Sequence, residues 1–189
     1  MSIDEDIKLA CETLKNGGII LYPTDTVWGI GCDATQSDAV KRIFEIKRRA
    51  DNKALIVMLG NERHLDRYVD DVPEIAYELS ELSDRPLTII YDKGLNLAPE
   101  LLGEDGSVGI RVSHEEFSSR LCNTYRRPIV STSANISGTP TPITFNEITD
   151  EIKSQMDYIV SHRRNDKTKH KPSSVIKLSG NGTIKIIRN

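Results

Sequence analysis

Ile19-Ile20-Leu21-Tyr22-Pro23-Thr24-Asp25-Thr26-Val27-Trp28-Gly29-Ile30-Gly31 decides how this chain is organised. Its first four residues form an apolar run too short for a helix and stopped by Pro23, which reads as a buried strand. Just before it, Asp4 to Lys15 carries Ile7, Cys11 and Leu14 at helical spacing. Asn16-Gly17-Gly18 then offers the left-handed residue that closes a helix. A helix leading at once into a buried strand begins a mixed α/β arrangement. Beyond Pro23, Thr24 and Thr26 follow the strand's C-terminal end, where ligands of α/β sheets gather. Gly29 and Gly31 predict that the stretch stays a loop. Two readings of its chemistry are open: hydroxyls that bind a ligand, or a turn whose Thr and Asp satisfy local backbone groups.

Outward from this segment the periodicity predicts further helices over Ser37 to Lys47, with Val40, Ile43, Phe44 and Ile46 inward, over Val72 to Leu82 and over Glu115 to Tyr125. Leu55 to Leu59, Leu87 to Tyr91, Val108 to Val112, Ile129 to Ser131 and Tyr158 to Val160 read as strands. Thr144 with Glu147 is a capping-box pattern that predicts a helix to about Met156. Leu95 to Ser107 reads as a long loop with a helical turn, and His162 to Lys171 as a polar, basic, mobile loop. Ser174 to Leu178 and Thr183 to Arg188 flank Gly180-Asn181-Gly182, a hairpin signal. The expected fold class is α/β, a mixed sheet with helices packed on it, forming one domain over 1–189.

Composition narrows the function. The net charge of −3 argues against a surface that wraps nucleic acid, though not against a local basic cleft. The three cysteines, Cys11, Cys32 and Cys122, are far apart and form no metal-binding pair, so a reducing, cytoplasmic setting is the simplest reading. The acidic start Asp4-Glu5-Asp6 does not resemble a secretory leader, and no apolar run is long enough to span a membrane.

Four further segments could carry chemistry besides structure. Lys47-Arg48-Arg49 supplies fixed positive charge suited to phosphate oxygens, or merely a basic helix end. Ser131-Thr132-Ser133-Ala134-Asn135-Ile136-Ser137-Gly138 packs short donors and acceptors into one stretch, as a phosphate or ribose site would, and as an ordinary turn would. Arg111, inside Val108-Gly109-Ile110-Arg111-Val112, needs an anion, either from a ligand or from an internal Asp or Glu. The basic run Arg163, Arg164, Lys167, Lys169 and Lys171 reads as a solvated loop more than as an RNA contact. The histidines lack metal-site spacing, and no P-loop, dinucleotide fingerprint or nucleophile elbow is present.

In order and spacing, the segments from Pro23, Lys47, Val108 and Ser131, with Pro172-Ser173-Ser174-Val175-Ile176, resemble the YrdC-like family of L-threonylcarbamoyladenylate synthases across about Ile7 to Arg188. The resemblance implies a twisted open sheet around a positively charged cleft. It implies a nucleotidyltransferase that joins L-threonine, bicarbonate and ATP into threonylcarbamoyl-AMP and pyrophosphate, for modification of tRNA beside the anticodon. ATP would be a substrate accompanied by Mg2+, with no protein-held metal and no membrane, and other tRNA-modifying proteins would receive the product. Lys47 and Arg49 would be catalytic and hold the triphosphate. Ser107, Ser133, Asn135, Thr141, Ser173 and Arg188 would complete the nucleotide site. Thr24, Thr26, Lys53, Arg111 and Ser131 would bind threonine. The sequence departs from the family pattern at Ala50, Lys53 and Lys177. The alternative is a non-catalytic module holding nucleotide or double-stranded RNA in the same cleft.

Overall fold

The computed structural model describes residues 1–49, 55–168, 170 and 172–189. Helix α1 spans Ile3–Lys15, opened by a reciprocal capping box between Ser2 and Glu5. It feeds strand β1 (Ile20–Tyr22), which pairs antiparallel with β2 (Gly29–Gly31). Next come α2 (Ser37–Ile46), β3 (Ile56–Leu59), α3 (Ile75–Leu82), β4 (Leu87–Tyr91) and β5 (Val108–Val112). The chain continues with α4 (Glu116–Tyr125), β6 (Ile129–Ser133), α5 (Asp150–Lys153), β7 (Tyr158–Ile159) and the hairpin β8 (Ser174–Leu178) with β9 (Ile184–Arg188). Among the described residues the strands form one sheet in the order β7-β1-β2-β6-β3-β5-β4-β8-β9, with parallel and antiparallel neighbours mixed.

Register explains how the sheet divides its two faces. Val130, Val57, Ile110, Ile89 and Ile176 pair in one row across β6, β3, β5, β4 and β8, and all are buried. Directly opposed residues share a face, and the adjacent row therefore points the other way. That row is Met58, Arg111, Thr88, Val175 and Arg188. A parallel row on this second face runs Ser131, Ile56, Gly109, Ile90 and Lys177, and from Ile56 to Lys177 it is only half-buried. The sheet floor therefore opens toward solvent on the face that carries Arg111.

Four local expectations are corrected. Residues 29–31 are strand, not loop, because Tyr22 stacks its ring over the pair of glycines. A Cβ on Gly31 would lie 2.6 Å from the Val130 carbonyl and 2.7 Å from the Tyr22 ring, so only glycine lets β2 fit between β1 and β6. The helix expected from Thr144 to Met156 is instead a 3₁₀ turn (Phe145–Glu147) and the short α5. Ile148 is extended between them, buried in the core, and Thr149 caps the second piece. The Thr144 hydroxyl bonds the Glu147 carboxylate rather than a backbone N–H, so its capping-box pattern does not open a long helix. Residues 132 and 133, read as following the strand, belong to β6 and pair with Ile30 and Gly29. Helix α3 begins at Ile75 rather than Val72, and a 3₁₀ segment at Glu62–Arg67 joins β3 to it. Among the described residues no helix is long and apolar enough to cross a membrane.

Candidate functional site

A cavity of about 340 Å³ lies on the open face of the sheet. Gly29, Ser133, Ser131, Ile56 and Arg111, all on that face, form its floor. Thr24, Thr26 and Val27 close one side, Arg49 and Leu55 another, and Thr141, Pro172, Ser173 and Arg188 the rim. Three guanidinium groups line it, and no carboxylate does among the described residues.

Arg111 is buried, with its side chain 5% exposed, and its Nη2 lies 3.2 Å from Asp25 Oδ1. Its Nε has no hydrogen-bond partner among the described residues. A buried donor left unmade costs about 1–3 kcal/mol, so an acceptor entering the cavity at this point is favoured. Burial pushes the Asp25 carboxyl above its ordinary range, while the positive charge of Arg111 pulls it back down. Asp25 also lines a second cavity of about 290 Å³, with His114 and Glu115.

The two threonines act as a turn and as cavity wall at once. Thr24 Oγ1 donates to the Val27 carbonyl at 2.7 Å, accepts from the Thr26 amide at 3.1 Å, and lies 3.2 Å from Thr26 Oγ1. Arg163 secures the turn from outside, donating to the Thr24 carbonyl and to Glu115. The described part of the loop read as mobile is thus tied to the site's wall, and Asp166 adds a second ion pair to Arg163.

Lys47 and Asn135 stand behind the wall rather than on it. The Lys47 ammonium donates to the Ser133 carbonyl at 2.5 Å and the Asn135 carbonyl at 2.7 Å. Burial, and secondarily the charge of Arg49, lowers its pKa to about 8. Burial also lowers that of Arg49. Asn135 Nδ2 donates to the Ile136 and Thr139 carbonyls, which shapes the turn after β6. At the rim Arg188 donates to the Ser173 carbonyl at 2.8 Å and to its hydroxyl, which meets Thr88 Oγ1 at 3.0 Å.

Thus Thr24, Thr26, Arg49, Arg111, Ser131, Ser133, Thr141, Ser173 and Arg188 converge on one cavity. Ser107 does not join them. It precedes β5, four residues before Arg111, so it lies about 13 Å along the strand on the same alternation. Lys53 and Ala50 lie outside the described residues. Val27, Gly29, Leu55, Ile56 and Pro172 also line the cavity, and nothing in the sequence signals them because polar chemistry does not mark apolar walls; Thr132, inside the quoted Ser131 segment, joins them.

The molecule is an α/β protein whose open mixed sheet presents hydroxyls and guanidinium groups at one cavity. The chain belongs to the Sua5/YciO/YrdC family, described as telomere recombination, which it matches over residues 12–189. It is 33% identical over 187 residues to the threonylcarbamoyl-AMP synthase of Pseudoalteromonas translucida (strain TAC 125), covering 97% of this chain and 98% of that one. It is 30% identical over 178 residues to the threonylcarbamoyl-AMP synthase of Vibrio cholerae serotype O1, covering 93% and 94%. Among solved structures, Escherichia coli YciO superposes with a TM-score of 0.82 at 28% identity, over 97% of this chain and 88% of that one. Sua5 of P. abyssi complexed with L-threonine superposes with a TM-score of 0.79 at 29% identity, over 91% of this chain and 50% of the Sua5 chain. The chain therefore spans half the length of that Sua5.

Proposed function

We propose that this protein is an ATP-dependent L-threonylcarbamoyladenylate synthase. The observation that carries the reading is the buried Arg111 with an unmatched Nε donor at the floor of a cavity rimmed by two further guanidinium groups. Its fold is shared with a Sua5 whose structure holds L-threonine. In this reading the threonine carboxylate meets Arg111, and Thr24, Thr26 and Ser131 hold the rest of the amino acid. Arg49, Ser133, Thr141, Ser173 and Arg188 face the nucleotide. Ser107 stands further along the open face of the sheet. Lys47 holds the Ser133 and Asn135 carbonyls in place and adds charge from behind.

The amine of threonine, having lost a proton, condenses with bicarbonate to a carbamate with release of water. A carbamate oxygen then bonds to the α-phosphorus of ATP as the bond from that phosphorus to the bridging oxygen breaks, and pyrophosphate leaves. The chain needs no covalent nucleophile for this. Its residues orient two substrates and balance phosphate charge with fixed guanidinium groups. Mg2+ would enter on the triphosphate oxygens of ATP. The adenylate would pass to proteins that carry out tRNA modification in the cytoplasm.

Pyrophosphate release from ATP tests the reading, with mass spectrometry for the adenylate. Release that needs both threonine and bicarbonate and yields threonylcarbamoyl-AMP is expected. Tight binding of ATP or double-stranded RNA with no release under any combination would overturn it in favour of a binding module.

A further inference from the structure

Helix α2 ends in an unusual way. The Arg48 amide donates to the Glu45 carbonyl at 2.9 Å and the Arg49 amide to the Phe44 carbonyl at 3.0 Å. Those two bonds are the Schellman pattern, whose turning residue is commonly glycine because it must be left-handed. Here that residue is Arg48, with φ of 48°. A left-handed residue with a Cβ is disfavoured by about 1–2 kcal/mol, so its neighbours must hold it there.

The neighbours that do so are visible. Lys47 is fixed twice to the end of β6 and the segment after it, by its ammonium on Ser133 and Asn135 and by its carbonyl, which accepts from the Ser137 amide at 2.9 Å. The Arg48 side chain is drawn outward to Glu151 of α5. Had the helix continued, Lys47 and Arg49 would point about 200° apart around its axis. The reversal at Arg48 instead puts the buried Lys47 behind the cavity wall and Arg49 on it.

We infer that the left-handed backbone of Arg48 is the device that aims Arg49 into the cavity, so that Arg48 is a positioning residue for the nucleotide without touching it. This rests on the assignment of Arg49 to ATP. What matters at position 48 is then the backbone conformation a residue tolerates, and the charge it carries matters little.

The test compares wild type, Arg48→Gly, Arg48→Val, Glu151→Gln and Arg49→Ala for melting temperature and for the KM of ATP and of threonine separately. Arg48→Gly, which adopts the turn freely, is expected to keep the ATP KM within about twofold and to melt no lower than wild type. Arg48→Val, whose β-branch resists the turn, is expected to raise the ATP KM about fivefold with the threonine KM unchanged. Glu151→Gln is expected to leave both constants near wild type. If Arg48→Val does not fold, Arg48→Ala takes its place, and its ATP KM must exceed that of Arg48→Gly. An unchanged ATP KM in Arg48→Val, beside an impaired Arg49→Ala, overturns the inference and leaves the nucleotide reading intact. An unchanged ATP KM in Arg49→Ala overturns the assignment of Arg49, and the inference with it. Equal changes in both KM values for Arg48→Val also overturn it, because they mark general damage.

Discussion

Arg111 is paired with Asp25 at 3.2 Å, both side chains almost wholly buried, and Arg111 lines the cavity of about 340 Å³ while Asp25 lines a second one of about 290 Å³. Asp25 answers the question that an Arg amid apolar neighbours poses, since it supplies an internal anion. It does not answer it fully, because Arg111 Nε stays without a hydrogen-bond partner among the described residues.

Removing Asp25 should therefore harm both folding and threonine binding. Asp25→Ala leaves the buried guanidinium uncompensated, and a loss of roughly 3 kcal/mol is expected in chemical denaturation. Asp25→Asn keeps the shape and loses the charge, so its stability should fall less. Both should raise the threonine KM more than the ATP KM. Equal threonine affinity in wild type and Asp25→Ala would refute the coupling.

Lys47 should make ATP affinity sensitive to mildly basic pH. Its pKa of about 8 means that the charge behind the cavity wall is lost as pH rises through that value. One buried charge near a triphosphate is worth on the order of 1 kcal/mol, roughly a fivefold rise in ATP Kd. In Lys47→Met that inflection should vanish, with affinity uniformly weak. Stability runs the other way. Between about 8 and the ordinary lysine value the unfolded chain holds more of the proton, so stability rises with pH across that window. Calorimetric titration of ATP and denaturation at matched pH would check both signs.

Asp33 should govern acid stability. Burial would raise its pKa, but donors from Tyr125, Thr35 and Arg127 outweigh that and hold it below the usual carboxylate range. Tyr125 Oη approaches its carboxylate at 2.6 Å and Arg127 at 3.2 Å. A lowered carboxyl gives stability that is present above the unfolded value and is lost as pH falls through the folded one. Asp33→Ala should cost roughly 3 kcal/mol at neutral pH and flatten the acid limb of the stability curve. An unchanged acid limb would contradict this.

Gly31 should tolerate no side chain. Gly31→Ala drives a Cβ into the Val130 carbonyl and the Tyr22 ring, so a loss of about 1–3 kcal/mol is expected, read as a lower denaturation midpoint. Gly31→Ala combined with Tyr22→Leu should recover part of that loss, since the ring is one of the two obstacles.

Much of the fold is legible in short stretches. Leu87 to Tyr91 and Val108 to Val112 are strands with the bounds their apolar runs suggest, and α2 buries Val40, Ile43, Phe44 and Ile46 as its spacing requires. These follow from local periodicity and from glycine and proline punctuation. The sequence alone also marks the polar segments that line the cavity, because hydroxyl and guanidinium groups stand out against an apolar background.

The tertiary structure decides the rest, because it turns on distant neighbours. Whether Gly29 and Gly31 are loop or strand depends on where the Tyr22 ring comes to rest. Whether Lys47 faces a ligand or two carbonyls depends on the approach of the end of β6, 86 residues away in sequence at Ser133. Register across the sheet, which aligns Arg111 with Thr88, Val175 and Arg188, is set by pairings between remote strands. Side-chain type reveals which groups could bind an anion. Only backbone register and close packing determine which of them share a face and remain open to it.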